Sequence, residues 1–190
     1  MENHILKTFS ALAIAFAGMA NVASSQAPPP APLAVPNPTY VAIPMEIMVN
    51  RPAAEVWKRV GKYCDIGEWL RVQCMITSGK DGEVGAVRSI GTEILVGMTE
   101  LSYTYTQPVR AGRPYNLYHG TLEARPVTAT TTKLVYTLVY DNSMLADDAA
   151  RDRDKAQKAM QFTTALENMK ILAEGGMAKS QKNPRTCAET

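Results

Sequence analysis

One long segment near the end of the chain constrains the fold more than any other feature. From Leu145 to about Glu174 the sequence has neither proline nor glycine and is rich in Ala, Met, Leu, Lys and Gln, which favour helices. Apolar residues recur there at spacings of three and four, as one helix face requires: Ala159, Phe162, Leu166, Met169 and Ala173. Gly175 and Gly176 predict the end of this helix. The charged run Arg151–Lys155 is predicted to be a solvated face.

Most of the chain before this helix has the pattern of short β-strands. Alternating apolar residues, many of them β-branched or aromatic, lie between turns that contain glycine or proline. The predicted strands are Tyr40–Val49, Val72–Ser78, Gly85–Ile90, Glu93–Val96, Leu101–Gln107, Leu117–Ala124 and Thr130–Tyr140. Two short helices, Pro52–Val60 and Asp65–Leu70, are predicted after the first strand, and a turn is predicted over Gly97–Glu100.

These elements predict an α+β fold with one curved antiparallel sheet of about seven strands. A single sheet cannot leave its inner face bare, and the long C-terminal helix is the one predicted element large enough to cover it. A strongly curved sheet wrapped on a helix leaves a cavity between them, and such cavities bind small molecules.

The first 25 residues are predicted to be a secretory signal peptide. Lys7 precedes an apolar stretch from Phe9 to Ala20, and small residues follow it; this order predicts cleavage after Ser24 or Ser25. The alternative is a retained membrane anchor, but the stretch is shorter than the roughly 20 residues of a membrane span. We therefore expect a periplasmic or secreted protein with no stable membrane span after cleavage.

Three further regions follow the signal peptide. Residues 26–39 form an uncharged, Pro-rich segment, which predicts an extended linker. Residues 40–176 are enough for a single domain with its own core. Residues 177–190 are polar and are predicted to be a disordered tail.

Charge and cysteine content exclude several classes of function. The chain has 20 Lys+Arg and 18 Asp+Glu without a basic cluster, so no nucleic-acid partner is expected.

Cys64 and Cys74 either form a disulfide, as cysteines outside the cytoplasm tend to do, or are two small buried residues. Cys187 lies in the tail. The sequence has no zinc-binding spacing and no phosphate-binding loop, so neither a metal site nor a cofactor is predicted.

Several short motifs occur in the order and spacing of one protein superfamily. They are Pro52–Trp57, Trp69, Gly85–Arg88, Glu93–Leu95, Pro114–Leu122 and Thr132–Tyr136. From Ile43 to about Ala173 the chain resembles the START-like (SRPBCC) superfamily, specifically its bacterial polyketide cyclase/dehydrase group. The resemblance implies the helix-grip fold, in which a curved sheet wraps on a long C-terminal helix, and a cavity for apolar or amphipathic small molecules. Two features depart from the pattern: Tyr136 replaces a common Trp, and the Gly97–Glu100 turn is short, with its acidic residue displaced.

The resemblance also implies which side chains contact a ligand. They are Tyr105, Tyr118, Tyr136, Trp69, Arg88 and Glu93. Gly120 shares a strand face with Tyr118 and would leave room for the ligand, whose rings the tyrosines would stack on. The alternative is that the tyrosines fill the core. The same alternation points His119 outward, which argues against a catalytic role for it.

Arg88 and Glu93 are a candidate catalytic pair, because both lie in predicted strands and a buried carboxylate needs a partner. Arg88 would pair with Glu93 or hold an anionic ligand group, and Glu93 in an apolar cavity would act as acid or base. The alternative is a structural ion pair in the cavity wall, or two charges that face outward.

Three functions are compatible with these features. The first is an exported protein that holds a hydrophobic or aromatic molecule, or a lipid, in an internal cavity. The second is a cofactor-independent cyclase, dehydratase or lyase acting on an aromatic or polyketide-like substrate, with Glu93 as acid or base. The third is an accessory protein that assists another periplasmic enzyme through a protein–protein contact.

Overall fold

The computed structural model describes residues 37–110, 112–113 and 115–179. The predicted signal peptide, most of the predicted linker, Pro114 and positions 180–190 of the predicted tail lie outside these residues. Among the described residues, no helix is long and apolar enough to cross a membrane.

The described part of the chain contains seven strands and three helices. They are β1 (Tyr40–Val49), α1 (Ala53–Val60), α2 (Ile66–Trp69), β2 (Ile76–Ser78), β3 (Val87–Arg88), β4 (Glu93–Thr99), β5 (Ser102–Gln107), β6 (Asn116–Pro126), β7 (Thr132–Asp141) and α3 (Asp148–Ala173). This confirms the predicted α+β fold: an antiparallel sheet, two short helices after the first strand and one long helix near the C-terminus.

The seven strands form a single sheet in the order β1-β7-β6-β5-β4-β3-β2. Consecutive strands from β2 to β7 are antiparallel neighbours. β1 instead pairs with β7, from Tyr40 opposite Asp141 to Val49 opposite Thr132. The first and last strands therefore lie side by side, and α3 returns from β7 across the sheet to pack against β1, α1 and α2.

The long helix starts later than its composition predicts, because Asp147 caps it. Oδ1 of Asp147 accepts a hydrogen bond of 2.7 Å from the N–H of Ala150, which satisfies a free donor of the first turn. The buried side chains of α3 lie in its second half: Phe162, Ala165, Leu166, Asn168, Met169 and Leu172. The apolar stripe that covers the sheet is therefore shorter than the helix.

The predicted turn at Gly97–Glu100 is wrong. β4 continues through Gly97 to Thr99, and the chain turns at Glu100 and Leu101. The pairing between β4 and β5 shifts between Leu95 and Gly97, which is a β-bulge. A bulge absorbs an extra residue and bends the strand, so the glycine marks a bend within β4 and not its end.

The folded part extends past the helix into the segment predicted as a tail. Asn168 on α3 is almost fully buried, and its Nδ2 donates to the carbonyl of Trp69 at 3.0 Å and to that of Lys179 at 3.2 Å. The N–H of Lys179 donates back to Oδ1 of Asn168 at 2.9 Å. Residues 177–179 are thus fixed against α2 and α3.

Cys64 and Cys74 form a disulfide, with Cα atoms 5.5 Å apart and ten residues apart in sequence. The bond joins the segment before α2 to the segment before β2, around the short helix. The loop that it closes contains one helix of four residues, so the disulfide adds a covalent link to a short helical segment.

The double variant Cys64→Ser/Cys74→Ser should lower the free energy of unfolding by about 3 kcal/mol, the chain-entropy value for a loop of this length. Urea unfolding of the oxidised protein and the variant measures this difference. Reducing agent should lower the wild-type midpoint and leave that of the variant unchanged. Equal stability of variant and oxidised wild type would contradict the structural role of the bond.

Candidate functional site

Between the first half of α3 and the sheet lies a pocket of about 450 Å³. It is lined by Ile66, Leu70, Ile90, Glu93, Tyr105, Gln107, Arg113, Tyr115, Tyr118, Asp154, Gln157, Lys158, Gln161 and Phe162. Most buried members are apolar or aromatic, whereas Arg113, Gln157 and Gln161 are exposed. A concave pocket that combines an aromatic wall with several polar groups is typical of a small-molecule site.

Tyrosines form one continuous wall of this pocket. The ring centroids of Tyr115 and Tyr118 are 4.8 Å apart, those of Tyr118 and Tyr140 are 5.8 Å apart, and those of Tyr105 and Tyr118 are 6.4 Å apart. Burial raises the pKa of Tyr118, and the nearby Glu93 carboxylate adds to this effect. Tyr118 is therefore a neutral phenol, which offers a ring face for stacking and an O–H group for orientation.

A charged pair on α3 is packed against the same wall. Lys158 Nζ forms an ion pair with Asp154, and both side chains are largely buried. The Lys158 ammonium lies 5.2 Å from the ring centroid of Tyr115 and 4.8 Å from that of Tyr140, within cation–π distance. The Tyr140 hydroxyl donates to Asp154 Oδ2 at 2.7 Å. These contacts fix α3 against β7 at the pocket mouth.

Glu93 lines the pocket and forms a buried ion pair with Arg88, which lies behind the pocket wall. The two residues are directly opposite each other in β3 and β4, and their side chains are 0% and 3% exposed. Arg88 Nε donates to Glu93 Oε2 at 2.6 Å, and Arg88 Nη2 lies 2.5 Å from the same oxygen. Arg88 Nη1 donates to the carbonyl of Tyr63 at 2.6 Å.

Three aromatic rings complete the surroundings of the Arg88 guanidinium, with Tyr103 the most distant at 5.9 Å. The central carbon of the guanidinium lies 4.3 Å from the ring centroid of Tyr63 and 4.6 Å from that of Tyr105. Desolvated cation–π contacts of this kind are worth about 2 kcal/mol. They partly replace the water that the buried cation has lost.

The second carboxylate oxygen of Glu93 is also engaged. Gln107 Nε2 donates to Glu93 Oε1 at 2.8 Å, and Gln107 Oε1 accepts from the Tyr115 hydroxyl at 2.7 Å. Burial raises the pKa of Glu93, while the Arg88 guanidinium and the bond from Gln107 act against that rise. Both oxygens of Glu93 thus accept a hydrogen bond, and these bonds favour the ionised carboxylate.

The residues predicted to contact a ligand fall into two groups. Glu93, Tyr105 and Tyr118 line the pocket. Arg88, Tyr136 and Trp69 lie behind its wall. The Tyr136 hydroxyl is 2.9 Å from that of Tyr105, and the Trp69 ring packs edge-on against Tyr136 at 6.1 Å.

The space above Gly120 is occupied by protein and not left for a ligand. A Cβ atom at this position would collide with the ring and hydroxyl of Tyr105. Glycine is therefore required at position 120, because the side chain of Tyr105 lies directly over it. The neighbouring His119 is only partly buried, in agreement with its predicted outward direction, and burial lowers its pKa.

Several pocket residues were not expected from the sequence patterns. Asp154 belongs to the charged run predicted as a solvated face, but its side chain is only 15% exposed and pairs with Lys158. The helical spacing could have predicted this position. Asp154, Lys158 and Gln161 lie at i, i+4 and i+7 and therefore share one face of the helix. Tyr115 and Gln107 lie at strand ends, where alternation gives no such signal.

A family model described as polyketide cyclase/dehydrase and lipid transport matches residues 41–174. No curated protein matches the chain. A solved structure of a protein from Thermobifida fusca is 22% identical with a TM-score of 0.56, and the match covers 74% of this chain and 99% of that one.

Two further solved structures have the same fold. A protein from Nitrosospira multiformis is 23% identical with a TM-score of 0.51, over 67% of this chain and 95% of that one. A truncated norcoclaurine synthase from Thalictrum flavum is 12% identical with a TM-score of 0.54, over 72% of this chain and 94% of that one. At these identities the matches establish the architecture alone.

Replacing Arg88 by Met should lower the free energy of unfolding by about 3–5 kcal/mol, because Glu93 is left buried without its counter-charge. The double variant Arg88→Met/Glu93→Leu should recover most of this loss, since it removes both charges. Urea unfolding of the single and double variants measures the coupling.

The exposed ion pair of Arg125 and Glu123 supplies the control for this experiment. Arg125→Met should change the stability little, because water screens an exposed pair. Glu93→Leu is the second single variant. If its loss and that of Arg88→Met simply add in the double variant, Arg88 and Glu93 are not coupled and the description of the pair is wrong.

Proposed function

This chain belongs to the polyketide cyclase/dehydrase and lipid transport family, and we propose that it binds a small aromatic molecule in the pocket beside α3, outside the cytoplasm. Family membership puts its function within hydrophobic-ligand binding or cyclase chemistry. The proposal is the narrower statement that it holds its ligand without transforming it.

The tyrosine wall carries the proposal. Three tyrosine rings line one side of the pocket: Tyr105, Tyr115 and Tyr118. Phe162 on α3 lines the opposite side. An aromatic ring placed between these faces would gain both apolar burial and stacking. The exposed glutamines at the mouth would then hydrogen-bond polar groups on the outer end of the ligand.

The size of the pocket supports a small ligand over a long-chain lipid. Tyr105 and Tyr136 meet across the interior through their hydroxyls, and both are almost fully buried. Their rings occupy the centre of the space between sheet and helix. The remaining 450 Å³ lies toward the lower end of the usual range for ligand pockets, about 300–1,000 Å³.

The state of Glu93 supports binding over catalysis. A general acid or base must gain and lose a proton during the reaction, whereas hydrogen bonds to a carboxylate favour its ionised form. Here Arg88 takes one oxygen of Glu93 and Gln107 takes the other. The pair is thus better suited to holding the wall of the pocket than to exchanging protons with its occupant.

Two observations support export of the protein. The first 25 residues have the n-region, apolar region and small residues of a signal peptide. The disulfide between Cys64 and Cys74 is a bond that persists in oxidising compartments and is rare in the cytosol. A ligand that the protein meets there would be an imported or exported aromatic compound.

The variant Gln161→Trp should weaken ligand binding strongly, because its indole would fill the pocket from the exposed face of α3. Thr163→Trp is the matched control: Thr163 is exposed, two residues away, and does not line the pocket. Titration with 2-naphthol should show the affinity of Gln161→Trp reduced about tenfold or more, with that of Thr163→Trp unchanged.

The same variants test for the natural ligand. Native mass spectrometry of protein purified from its own host should show a bound small molecule in wild type and Thr163→Trp, and much less of it in Gln161→Trp. A wild-type protein that is empty, and that binds neither 2-naphthol nor any member of an aromatic-metabolite and lipid library, would refute the proposal.

Export is tested by expressing the full chain in a Gram-negative host. The protein should appear in the periplasmic fraction with Ser25 or Gln26 as its first residue. Leu12→Arg, which places a charge in the apolar stretch, should remain in the cytoplasm with its leader intact. Wild-type protein that also stays in the cytoplasm uncleaved would contradict this part of the proposal.

A further inference from the structure

A second concave site lies between α1, the turn after β2 and the β4–β5 hairpin. This groove has a volume of about 320 Å³ and shares no lining residue with the pocket beside α3. Tyr63 lines the groove and Tyr105 lines the pocket, and the Arg88 guanidinium contacts both rings. The groove is therefore a separate cavity on another side of the Arg88 cluster.

The deep part of the groove is aromatic. Tyr63, Tyr103 and Leu95 line it and are buried, while Trp57 is half-buried above them. The Trp57 and Tyr103 ring centroids are 5.8 Å apart, and those of Tyr63 and Tyr103 are 5.6 Å apart with an edge-on geometry. These rings form a preformed apolar surface for a flat ligand.

Gly61 fixes the position of the upper ring. A Cβ atom on Gly61 would come within 2.6 Å of Trp57 Cε2, so any larger residue would displace the indole. The absence of a side chain at Gly61 lets Trp57 lie flat across the end of α1. The groove thus depends on a close approach that glycine alone permits.

Two lysines give the rim of the groove a positive charge. Lys58 and Lys62 line it and are exposed, and neither forms an ion pair with another residue of the described ranges. Their neighbour Arg59 is paired with Glu68 at 2.5 Å. Asp81 is the acidic residue that lines the groove, so the lining residues carry one more positive than negative charge. The Asp65 carboxylate accepts from the N–H of Lys62 but does not line the groove.

We infer that this groove is a second ligand site, for a small aromatic molecule that carries an anionic group. The ring lies against Trp57 and Tyr103, and the anion lies at the rim with Lys58 and Lys62. Charge complementarity favours a carboxylate over a neutral group there, and the aromatic walls favour a ring over a chain. The site goes beyond the proposed function, which concerns the pocket beside α3.

The test compares 2-naphthoate with neutral 2-naphthalenemethanol by calorimetric titration of the mature protein. Naphthoate should bind severalfold more tightly, and Lys58→Gln/Lys62→Gln should remove that difference. Lys80→Gln is the control, since Lys80 is exposed, pairs with Glu83 and lies outside the groove.

Two variants on β4 locate the bound naphthoate. Met98 lines the groove and Val96 does not, although both are exposed. Met98→Asp should remove the preference for naphthoate over the neutral alcohol, and Val96→Asp should preserve it. The pocket-blocking Gln161→Trp should also preserve it, so the failure of one site is distinguishable from that of the other.

The inference is overturned if naphthoate does not bind. It is also overturned if the preference for naphthoate is lost in Gln161→Trp and kept in Met98→Asp, because the ligand then occupies the pocket beside α3. Equal affinity for naphthoate and the neutral alcohol would overturn the assignment of an anionic ligand.

Discussion

The ion pair of Arg88 and Glu93 is the interaction around which the interior is arranged. Two buried charges are tolerated only when their lost hydration is replaced by good geometry and further hydrogen bonds. The replacement comes from four parts of the chain: Glu93 on β4, the carbonyl and ring of Tyr63 after α1, the ring of Tyr105 on β5, and Gln107 at the end of β5. Through these contacts the pair connects the sheet to the helical segment that closes one side of it.

This arrangement explains why a fold built around a cavity has so little empty space at its centre. Tyr105 packs over Arg88 and over Gly120, and its hydroxyl meets that of Tyr136. The centre of the domain is filled by this cluster. Free volume remains where the cluster ends, beside α3 and beside α1. The pocket beside α3 has a volume of about 450 Å³ and the groove beside α1 one of about 320 Å³.

The sequence predicts the architecture well because the patterns that carry it are local. Strand alternation, the turn glycines and the uninterrupted helix segment specify the sheet and α3. Alternation also places Tyr105, Tyr118 and Glu93 on the inner face. Alternation does not show how far a side chain reaches across the interior. The space over Gly120 is therefore decided by packing between strands, which places the Tyr105 ring there and not a ligand. The bulge after Leu95 likewise depends on how β4 pairs with β5. The sequence of β4 alone does not specify that pairing.

The two halves of α3 have different roles, and this separates stability from binding. From Phe162 onward the helix covers the sheet with residues such as Leu166 and Met169, and large-to-small changes there leave cavities that cost several kcal/mol. Before Phe162 it contributes mainly partly exposed polar residues, among them Gln157 and Gln161, which line the pocket mouth. Substitutions at such positions usually change stability by less than about 0.5 kcal/mol. Gln157 and Gln161 are thus less constrained by the fold than the second half of α3, whereas Asp154 and Lys158 also hold the helix against β7.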